Sequence, residues 1–346
     1  MMGFGEEGKK FRGKFFPSSP ISNTTLFGTE IRIKQVETMG KISGIIAMLI
    51  ATVIWGTGFS AQSRGAQLVD EMLFIMLRSI VGVLALIPVI AAFDLFRMKR
   101  FSFWGNAATV QEKKFLLTGG FWCGSAITAA SFLQQCGIKY VSAGKTGFLT
   151  ALYIIIVPVL GIFFKRKTSP VLWLAVVIAM GGTRLLCGGI GSLGLGEWLV
   201  IGCAVLYSLH ILVIDHYAAK CDCIRLSCLQ FLTAAVLSAA VSLITRESWA
   251  VEGICSSMPF WLFCGIGSSA VAFTLQIAAQ KYLHPVTASL LMSLESVFAV
   301  IAGSLFLKEH LSSKELMGCS VIFLAIILAQ IPFSRTKKQG SVPDKG

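Results

Sequence analysis

One carboxylate stands inside a long apolar segment of this 346-residue sequence. The stretch "LLMSLESVFAV", residues 290–300, places Glu295 in the middle of an apolar run that extends from about Val286 to Leu307. Burying an unpaired carboxylate in hydrocarbon costs roughly 3 kcal/mol or more, and ionisable groups found there commonly mark proton or substrate pathways. Glu295 is therefore the first candidate for proton coupling or for substrate binding.

Two cationic side chains are candidates to act together with Glu295. Arg78 lies within another apolar run, and Lys145 lies near one end of a third. Either can bind an anionic part of a substrate. Two other interpretations stay open: a structural ion pair between Glu295 and Arg78 or Lys145, and a Lys145 ammonium that reaches the membrane surface along its own stem.

Other residue clusters that suggest chemistry lack the spacing that the chemistry needs. The segment "DHYAAKCDCIRLSC" contains Asp, His and Cys residues, but their spacing is not that of a structural zinc site, so we predict no metal. The Gly-rich stretch "GGIGSLGLGEW" lacks the Gly-Lys-Ser/Thr ending that holds phosphates, so we predict no nucleotide cofactor. No nucleophile, base and oxyanion donor can be assembled from the apolar runs, so we do not expect an enzyme.

Composition places these residues in a membrane. Hydrophobic residues make up 55% of the chain and charged residues 14%, and the mean hydropathy is +0.77; about a quarter of a soluble domain is charged. Because a span needs roughly 20 apolar residues, the sequence predicts an all-α membrane protein with ten transmembrane helices. Their approximate ranges are 42–60, 72–93, 115–135, 143–164, 170–187, 196–217, 226–244, 258–280, 286–307 and 313–333.

The distribution of basic residues predicts the orientation. With the amino terminus inside, 22 of the Lys and Arg residues fall on the cytoplasmic side and seven on the other side. An excess of Lys and Arg in short loops marks the cytoplasmic face, so both termini are predicted to be cytoplasmic in a multi-pass protein of the plasma membrane. The net charge of +13 is then explained by topology, and no nucleic-acid partner is expected.

The segments outside the predicted spans are short. Residues 1–38 are rich in Lys, Arg, Pro and Ser and are predicted to form a disordered cytoplasmic arm, and residues 334–346 a cytoplasmic tail. Met39 stands directly before the first span, which raises the hypothesis that translation begins there.

An internal repeat divides the predicted spans into two groups of five. A shift of 142 positions brings "FWCGSAITAASFLQQCGIKYV" onto "FCGIGSSAVAFTLQIAAQKYL" without a gap, and it pairs Gln134 with Gln276 and Tyr153 with Glu295. A shift of 152 positions pairs Trp55 with Tyr207. Because five is odd, the second half must be inverted relative to the first, as in secondary transporters with a binding site at the membrane midplane.

These equivalences add three aromatic candidates. Tyr153 is expected to approach the same midplane region as Glu295 from the other side of the pseudo-twofold axis. Trp55 and Tyr207 are candidates for the walls of a cavity. The alternative for both is packing within the bundle or anchoring at the membrane interface, where aromatic residues are common.

Three segments resemble a known family. "ATVIWGTGFSAQ", "LRSIVGV" and "SLLMSLESVFAVIAGSLFLKEHLSSKELMGCSVIFLAIIL" are similar to EamA-type permeases of the drug/metabolite transporter superfamily. Glu295, Glu309 and Gly318 match the family pattern, whereas Ser296 stands in place of its proline and Lys308 in place of its glycine. The resemblance implies ten helices, cytoplasmic termini, and a central cavity lined by helices one to four and six to nine.

The predicted function follows from the spans, the repeat and the resemblance together. We expect a secondary active transporter that moves a small metabolite or drug-like solute by alternating access, with a proton as a possible coupling ion. The first repeat is predicted over residues 42–190 and the second over residues 196–333. The alternative is a membrane-embedded enzyme or sensor that uses the same central cavity.

Overall fold

The computed structural model describes residues 23–105, 107–163, 170–187 and 193–329. Every regular element in these ranges is a helix, and they contain no strand. The predicted tail and residues 1–22 of the predicted arm lie outside them, and the first described helix already begins at Asn23. The chain divides at Gly40 into a short unit, Met1–Gly40, and a large one, Lys41–Gly346, which contains the helices that pack together.

Fourteen α-helices are assigned in the described ranges, with two stretches of π-helix among them. The π-helical stretches are Cys264–Ala272, which connects α10 to α11, and Gly303–Leu307, which follows α13. The α-helices are α1 (Asn23–Gly65), α2 (Glu71–Met98), α3 (Val110–Gly137), α4 (Ala143–Thr150), α5 (Tyr153–Phe163), α6 (Pro170–Cys187), α7 (Leu195–Ala218), α8 (Cys223–Ile244), α9 (Val251–Ser256), α10 (Met258–Phe263), α11 (Phe273–Gln280), α12 (Pro285–Ser293), α13 (Glu295–Ala302) and α14 (Ser313–Ala329).

Eight helical segments of the described residues are long and apolar enough to cross a membrane. They are Thr38–Gly65, Glu71–Phe96, Val110–Gly137, Ala143–Ile162, Leu195–Ala218, Cys223–Ile244, Met258–Gln280 and Pro285–Leu307. Each overlaps one of the ten predicted spans. The other two predicted spans coincide with α6 and α14, which are shorter and border residues outside the described ranges. An all-helical, multi-pass membrane protein is therefore confirmed, and the number ten stays a prediction.

Small residues bring the helices close together, because apolar helices in lipid associate through van der Waals contact rather than through hydrophobic exclusion. Helix α3 packs against α7 and α8, α2 against α8, and α6 and α14 pack mainly against each other. At the α3–α8 contact, a Cβ on Gly124 would lie 2.6 Å from the carbonyl oxygen of Gln230. At the contact of α6 with α14, a Cβ on Gly182 would lie 3.0 Å from the Gly318 oxygen.

A buried ion pair joins the end of α2 to the start of α8. The Nη2 of Arg225 donates to both carboxylate oxygens of Asp94, at 2.6 and 2.7 Å, and to the carbonyl oxygen of Ser102 at 2.8 Å. Its Nε donates to the Phe103 oxygen at 3.1 Å. Gly105, at φ +59°, passes so close that a Cβ there would lie 2.5 Å from Cζ of Arg225. The loop after α2 is thereby fixed against α8.

At the opposite end of the bundle, two glutamates cap the first turns of other helices. Glu247 accepts from the backbone N–H groups of Met72 and Leu73, at 3.1 and 2.8 Å. Glu309 accepts from those of Ala143 and Gly144, at 2.8 and 3.2 Å. Carboxylates stabilise helix N-termini, where N–H groups lack partners within the helix. These contacts hold α2 and α4 to the segments that follow α8 and α13.

Candidate functional site

Two spans are interrupted at positions that the 142-residue shift relates. Helix α4 ends at Thr150 and α5 begins at Tyr153, and helix α12 ends at Ser293 and α13 begins at Glu295. At each interruption the backbone forms a hydrogen bond between residues three apart instead of the four of an α-helix. These bonds run from Ile154 N to the Ala151 oxygen (3.1 Å) and from Val297 N to the Leu294 oxygen (3.1 Å). Such tight turns within a helix often mark functional hinges.

The first residues of the two second halves are hydrogen-bonded to each other. The Tyr153 hydroxyl donates to Oε1 of Glu295 at 3.0 Å. The Tyr153 side chain is 1% exposed and the Glu295 side chain 5% exposed. The two residues were predicted to approach the same region, and in the structure they are in direct contact. Glu295 faces protein rather than lipid.

Helix α1 packs directly against the turn that carries Glu295. A Cβ on Gly56 would lie 2.8 Å from the Glu295 carbonyl oxygen and would overlap the Phe298 side chain. A Cβ on Gly58, two residues further along, would meet nothing within 4 Å. The two glycines therefore serve as a test position and its control, because only Gly56 is in close contact with another helix.

Alanine substitution at these glycines tests that close approach. Gly56→Ala is expected to lower the free energy of unfolding by roughly 1–3 kcal/mol, the usual cost of overpacking. Gly58→Ala is expected to be neutral or to stabilise α1 by up to about 1 kcal/mol, since alanine favours a helix over glycine. Unfolding of the two purified variants measures the difference. Equal stability of both would contradict the close contact of α1 with Glu295 and Phe298.

The interrupted spans border a small, partly open cavity of about 30 Å³. That volume holds only one or a few waters, since one water needs roughly 10–15 Å³. Its lining comes from α1, α2, α3, α4, α5, α7, the first π-helical stretch, α11, α12 and α13. The lining residues are Trp55, Phe59, Gln62, Arg78, Gln134, Thr150, Tyr153, Tyr207, His210, Ser268, Phe273, Met292 and Glu295.

Arg78 enters the cavity from α2 and is 4% exposed. Its Nη2 donates to the Ser268 hydroxyl at 2.7 Å, its Nε to the Ser269 hydroxyl at 3.2 Å, and its Nη1 to Oε1 of Gln62 at 3.4 Å. All three acceptors are neutral. Among the described residues, no carboxylate lies within the 4.0 Å of an ion pair with Arg78, and Glu295 likewise has no cationic partner there.

Tyr207 belongs to a second polar network along the wall. Its hydroxyl donates to Oε1 of Gln134 at 3.3 Å and lies 3.3 Å from the Ser131 hydroxyl. Gln134 in turn donates from Nε2 to the Thr150 hydroxyl at 3.2 Å. This network reaches the end of α4, next to the interruption, so the polar wall and the hinge are connected.

Two polar atoms of the cavity lining lack partners within the described part of the chain. They are Nε1 of Trp55 and Nδ1 of His210, both buried. The other His210 nitrogen, Nε2, lies 3.2 Å from Oε1 of Gln230. A buried polar atom without a partner is costly, which suggests that a water or a solute completes these sites.

The sequence-predicted residues are largely brought together. Glu295, Arg78, Tyr153, Trp55 and Tyr207 all line the one cavity. Lys145 does not line it: its Nζ pairs with Oε1 of Glu315, at the start of α14, at 3.1 Å.

Sequence reasoning missed several of the cavity's polar residues, chiefly Gln62, Ser268 and His210. Gln62 and Ser268 are ordinary polar residues at helix-packing positions, and only the contacts with Arg78 distinguish them. His210 is a single histidine within an apolar run, and its type and position do not distinguish a cavity wall from packing. Within the described ranges, no group of three or more His, Cys, Asp or Glu side chains is placed to hold a metal ion.

The fold and the cavity define a multi-pass helical membrane protein with a small cavity at two helix interruptions. The model of the EamA-like transporter family matches residues 42–188 and again residues 194–330. The chain therefore belongs to the EamA-like transporter family, and the predicted resemblance is confirmed.

Two individual proteins illustrate the similarity. An uncharacterized transporter of Archaeoglobus fulgidus is 23% identical over 313 residues, which cover 87% of this chain and 92% of the relative. A solved crystal structure, whose description gives no function, is similar with a TM-score of 0.60 and 18% identity, over 83% of this chain and 96% of that one. At that identity, the second similarity supports the fold alone.

Proposed function

We propose that the protein is a secondary active transporter that moves a small metabolite or drug-like solute across the plasma membrane by alternating access. The observation that carries the proposal is the cavity at the two helix interruptions, where the Tyr153 hydroxyl donates a hydrogen bond to Glu295. Discontinuous helices of this kind form the substrate and ion sites of many secondary transporters. Membership of the EamA-like transporter family supports the same conclusion.

The size of the cavity supports a carrier rather than an open channel. A volume of about 30 Å³ is too small for a metabolite, so the helices must move before a solute can enter. The turns at Ala151–Leu152 and at Leu294 are the proposed hinges, because they interrupt helical hydrogen bonding beside the cavity. Movement of α5 and α13 about these turns would open the cavity to one side of the membrane at a time.

We further propose two inverted repeats of five helices each, over residues 42–190 and 196–333, with the cytoplasmic arm 1–38 and the tail 334–346 outside them. Helices α6 and α14 supply the fifth helix of each half. The equivalent positions of Tyr153 and Glu295, each at the start of a second half-helix, support this arrangement.

Each cavity residue has a proposed role. Glu295 takes up and releases the coupling proton or binds the substrate, and Tyr153 holds its carboxyl group in place. Arg78 binds an anionic part of the substrate, while Trp55 and Tyr207 form walls. Because the sequence has no phosphate-binding loop, uphill transport is driven by an ion gradient or by exchange.

A membrane-embedded enzyme or sensor is the second candidate for the same cavity. It is disfavoured because, among the described lining residues, the hydroxyls of Thr150 and Ser268 pair with Gln134 and Arg78 and not with a His, Asp or Glu. Reconstituted vesicles separate the candidates: a carrier moves a solute into the vesicles unchanged, whereas an enzyme converts it. Conversion of a solute without movement, or binding without either, would overturn the carrier.

The orientation of the chain is a proposal with its own test. A reporter fused after Lys345 and a reporter inserted in the loop after α2 are both expected to be cytoplasmic, because of the excess of 22 basic residues over seven. Reporter activity in intact cells measures this. External signals from both positions would contradict the orientation, and signals on opposite sides would contradict the inverted repeat.

A further inference from the structure

The cavity contains a permanent positive charge, Arg78, that forms no ion pair within 4.0 Å with a described carboxylate. An arginine side chain stays protonated in proteins, and the Arg78 guanidinium is bonded to two hydroxyls and one amide oxygen, all neutral. A charge in a membrane interior is costly unless it is paired. Glu295 differs from Arg78 in this respect, because its carboxyl group already has a donor in Tyr153.

The guanidinium keeps donors available for a ligand. It carries five N–H groups in a planar fork, and the contacts with Ser268, Ser269 and Gln62 use three of them. One N–H on Nη1 and one on Nη2 remain. Two such donors suit a carboxylate, which accepts paired hydrogen bonds from arginine.

Aromatic rings line the same cavity as this charge. The Trp55 and Phe273 rings have centroids 4.9 Å apart at 61°, and the Phe273 and His210 rings 5.8 Å apart at 74°. Ring edges and faces in such T-shaped arrangements accept another ring favourably. The Trp55 indole N–H, which has no partner in the described part of the chain, can only donate, so it is available to an oxygen of a ligand.

We propose that the solute carried by this protein is a small aromatic carboxylate. Because the cavity of about 30 Å³ must widen before such a solute enters, the binding state is the opened one that the proposed function requires. There the carboxylate binds the Arg78 guanidinium, one oxygen accepts from the Trp55 indole N–H, and the ring packs among Trp55, Phe59 and Phe273. The inference rests on the proposed function, since it identifies the solute class of the same cavity. The serine and glutamine partners of Arg78 position the guanidinium, which in turn determines selectivity for a negative charge.

Binding of simple probes to the purified protein in detergent tests this assignment. Calorimetry compares benzoate with its neutral analogue benzamide, its cationic analogue benzylamine, and the non-aromatic cyclohexanecarboxylate. Benzoate is expected to bind roughly tenfold or more tighter than benzamide, since hydrogen bonds between charged groups are stronger than those with a neutral group. It is also expected to bind more tightly than benzylamine and cyclohexanecarboxylate.

Three variants locate the effect. Arg78→Gln is expected to bind benzoate and benzamide equally, because it removes the positive charge that distinguishes them. The groups that lose a partner, on Gln62, Ser268 and Ser269, are all neutral. Trp55→Phe keeps a ring, removes the N–H, and is expected to weaken benzoate more than benzamide. Arg64→Gln removes an exposed arginine of the same helix as Trp55 and is expected to leave the preference unchanged.

The wild-type panel decides the proposal even if a variant fails to fold. Equal binding of benzoate and benzamide, tighter binding of benzylamine, or binding of none of the probes would overturn the anionic solute. Equal binding of cyclohexanecarboxylate would overturn its aromatic part. Vesicle flux of a neutral or cationic solute would support the carrier function but overturn the aromatic carboxylate as its solute. Benzoate binding without flux of any solute would support the binding site but overturn the carrier function.

Discussion

Glu295→Gln is expected to give a folded, normally inserted protein in which proton-gradient-driven flux falls to background. Glutamine keeps the size of the side chain and an oxygen that can accept from the Tyr153 hydroxyl, so the stability should change by no more than about 1 kcal/mol. It cannot take up or release a proton. If the carboxyl is neutral in one state and paired or hydrated in another, fixing its charge at zero removes the coupling. Flux and unfolding of the same preparation measure the two effects.

The structural interpretation of Glu295 predicts a different outcome. If its carboxylate neutralised a buried cation, Glu295→Gln would strand that cation and lower the stability by several kcal/mol, and flux would fall only with the yield. The geometry argues against this, because the described contacts of Arg78 are to Gln62, Ser268 and Ser269, and Lys145 pairs with Glu315.

A second carboxylate provides the matched control for this experiment. Glu309 caps the first turn of α4 and does not line the cavity. Glu309→Gln is expected to destabilise the protein by roughly 0.5–2 kcal/mol, as loss of a cap does, and to keep its flux per folded molecule. Loss of flux in both Glu295→Gln and Glu309→Gln, at unchanged stability, would contradict a coupling role that is specific to Glu295.

Arg225→Met is expected to destabilise the protein by about 3–5 kcal/mol, because it strands the Asp94 carboxylate, which is 3% exposed. The substitution also removes the donors to the carbonyl oxygens of Ser102 and Phe103, so the loop after α2 loses its attachment to α8. Unfolding of the purified protein by a denaturing detergent measures the loss.

Two further variants separate the buried ion pair from general effects at this end of α8. Asp222 also contacts Arg225, at 3.4 Å, but its side chain is 36% exposed. Asp222→Asn retains an oxygen that can cap α8, so it is expected to cost less than about 1 kcal/mol. The double variant Arg225→Met, Asp94→Leu is expected to recover part of the stability, since no charge is left stranded. A double variant no more stable than Arg225→Met would contradict the stranded-carboxylate explanation.

Much of the cavity could be predicted because ionisable and aromatic residues are conspicuous in apolar segments. Glu295 stands alone in its span, and the repeat register led from it to Tyr153. In the structure these two residues begin the second halves of interrupted spans and form a hydrogen bond. Pattern and register were sufficient here, because a carboxyl group buried in a membrane must find a polar partner.

Other contacts could not be predicted because they depend on side-chain directions that no periodicity specifies. Lys145 was predicted near the cavity, but its flexible stem reaches Glu315, which is distant in sequence. The turn at Ala151–Leu152 contains neither glycine nor proline, so no residue within the turn predicts the interruption of that span. Arg225 and Asp94 were recognisable only as charges near the ends of predicted spans, and their pairing depends on how α2 packs against α8.

The central claim, that Glu295 couples a proton to solute movement through this cavity, is tested most directly by comparing two kinds of flux in the same vesicles. Wild type and Glu295→Gln are reconstituted in equal folded amounts, and solute entry is measured first with a proton gradient and then by exchange against internal solute without a gradient. Wild type is predicted to show both fluxes, and Glu295→Gln only the exchange. Unchanged gradient-driven flux per folded molecule in Glu295→Gln would contradict the account.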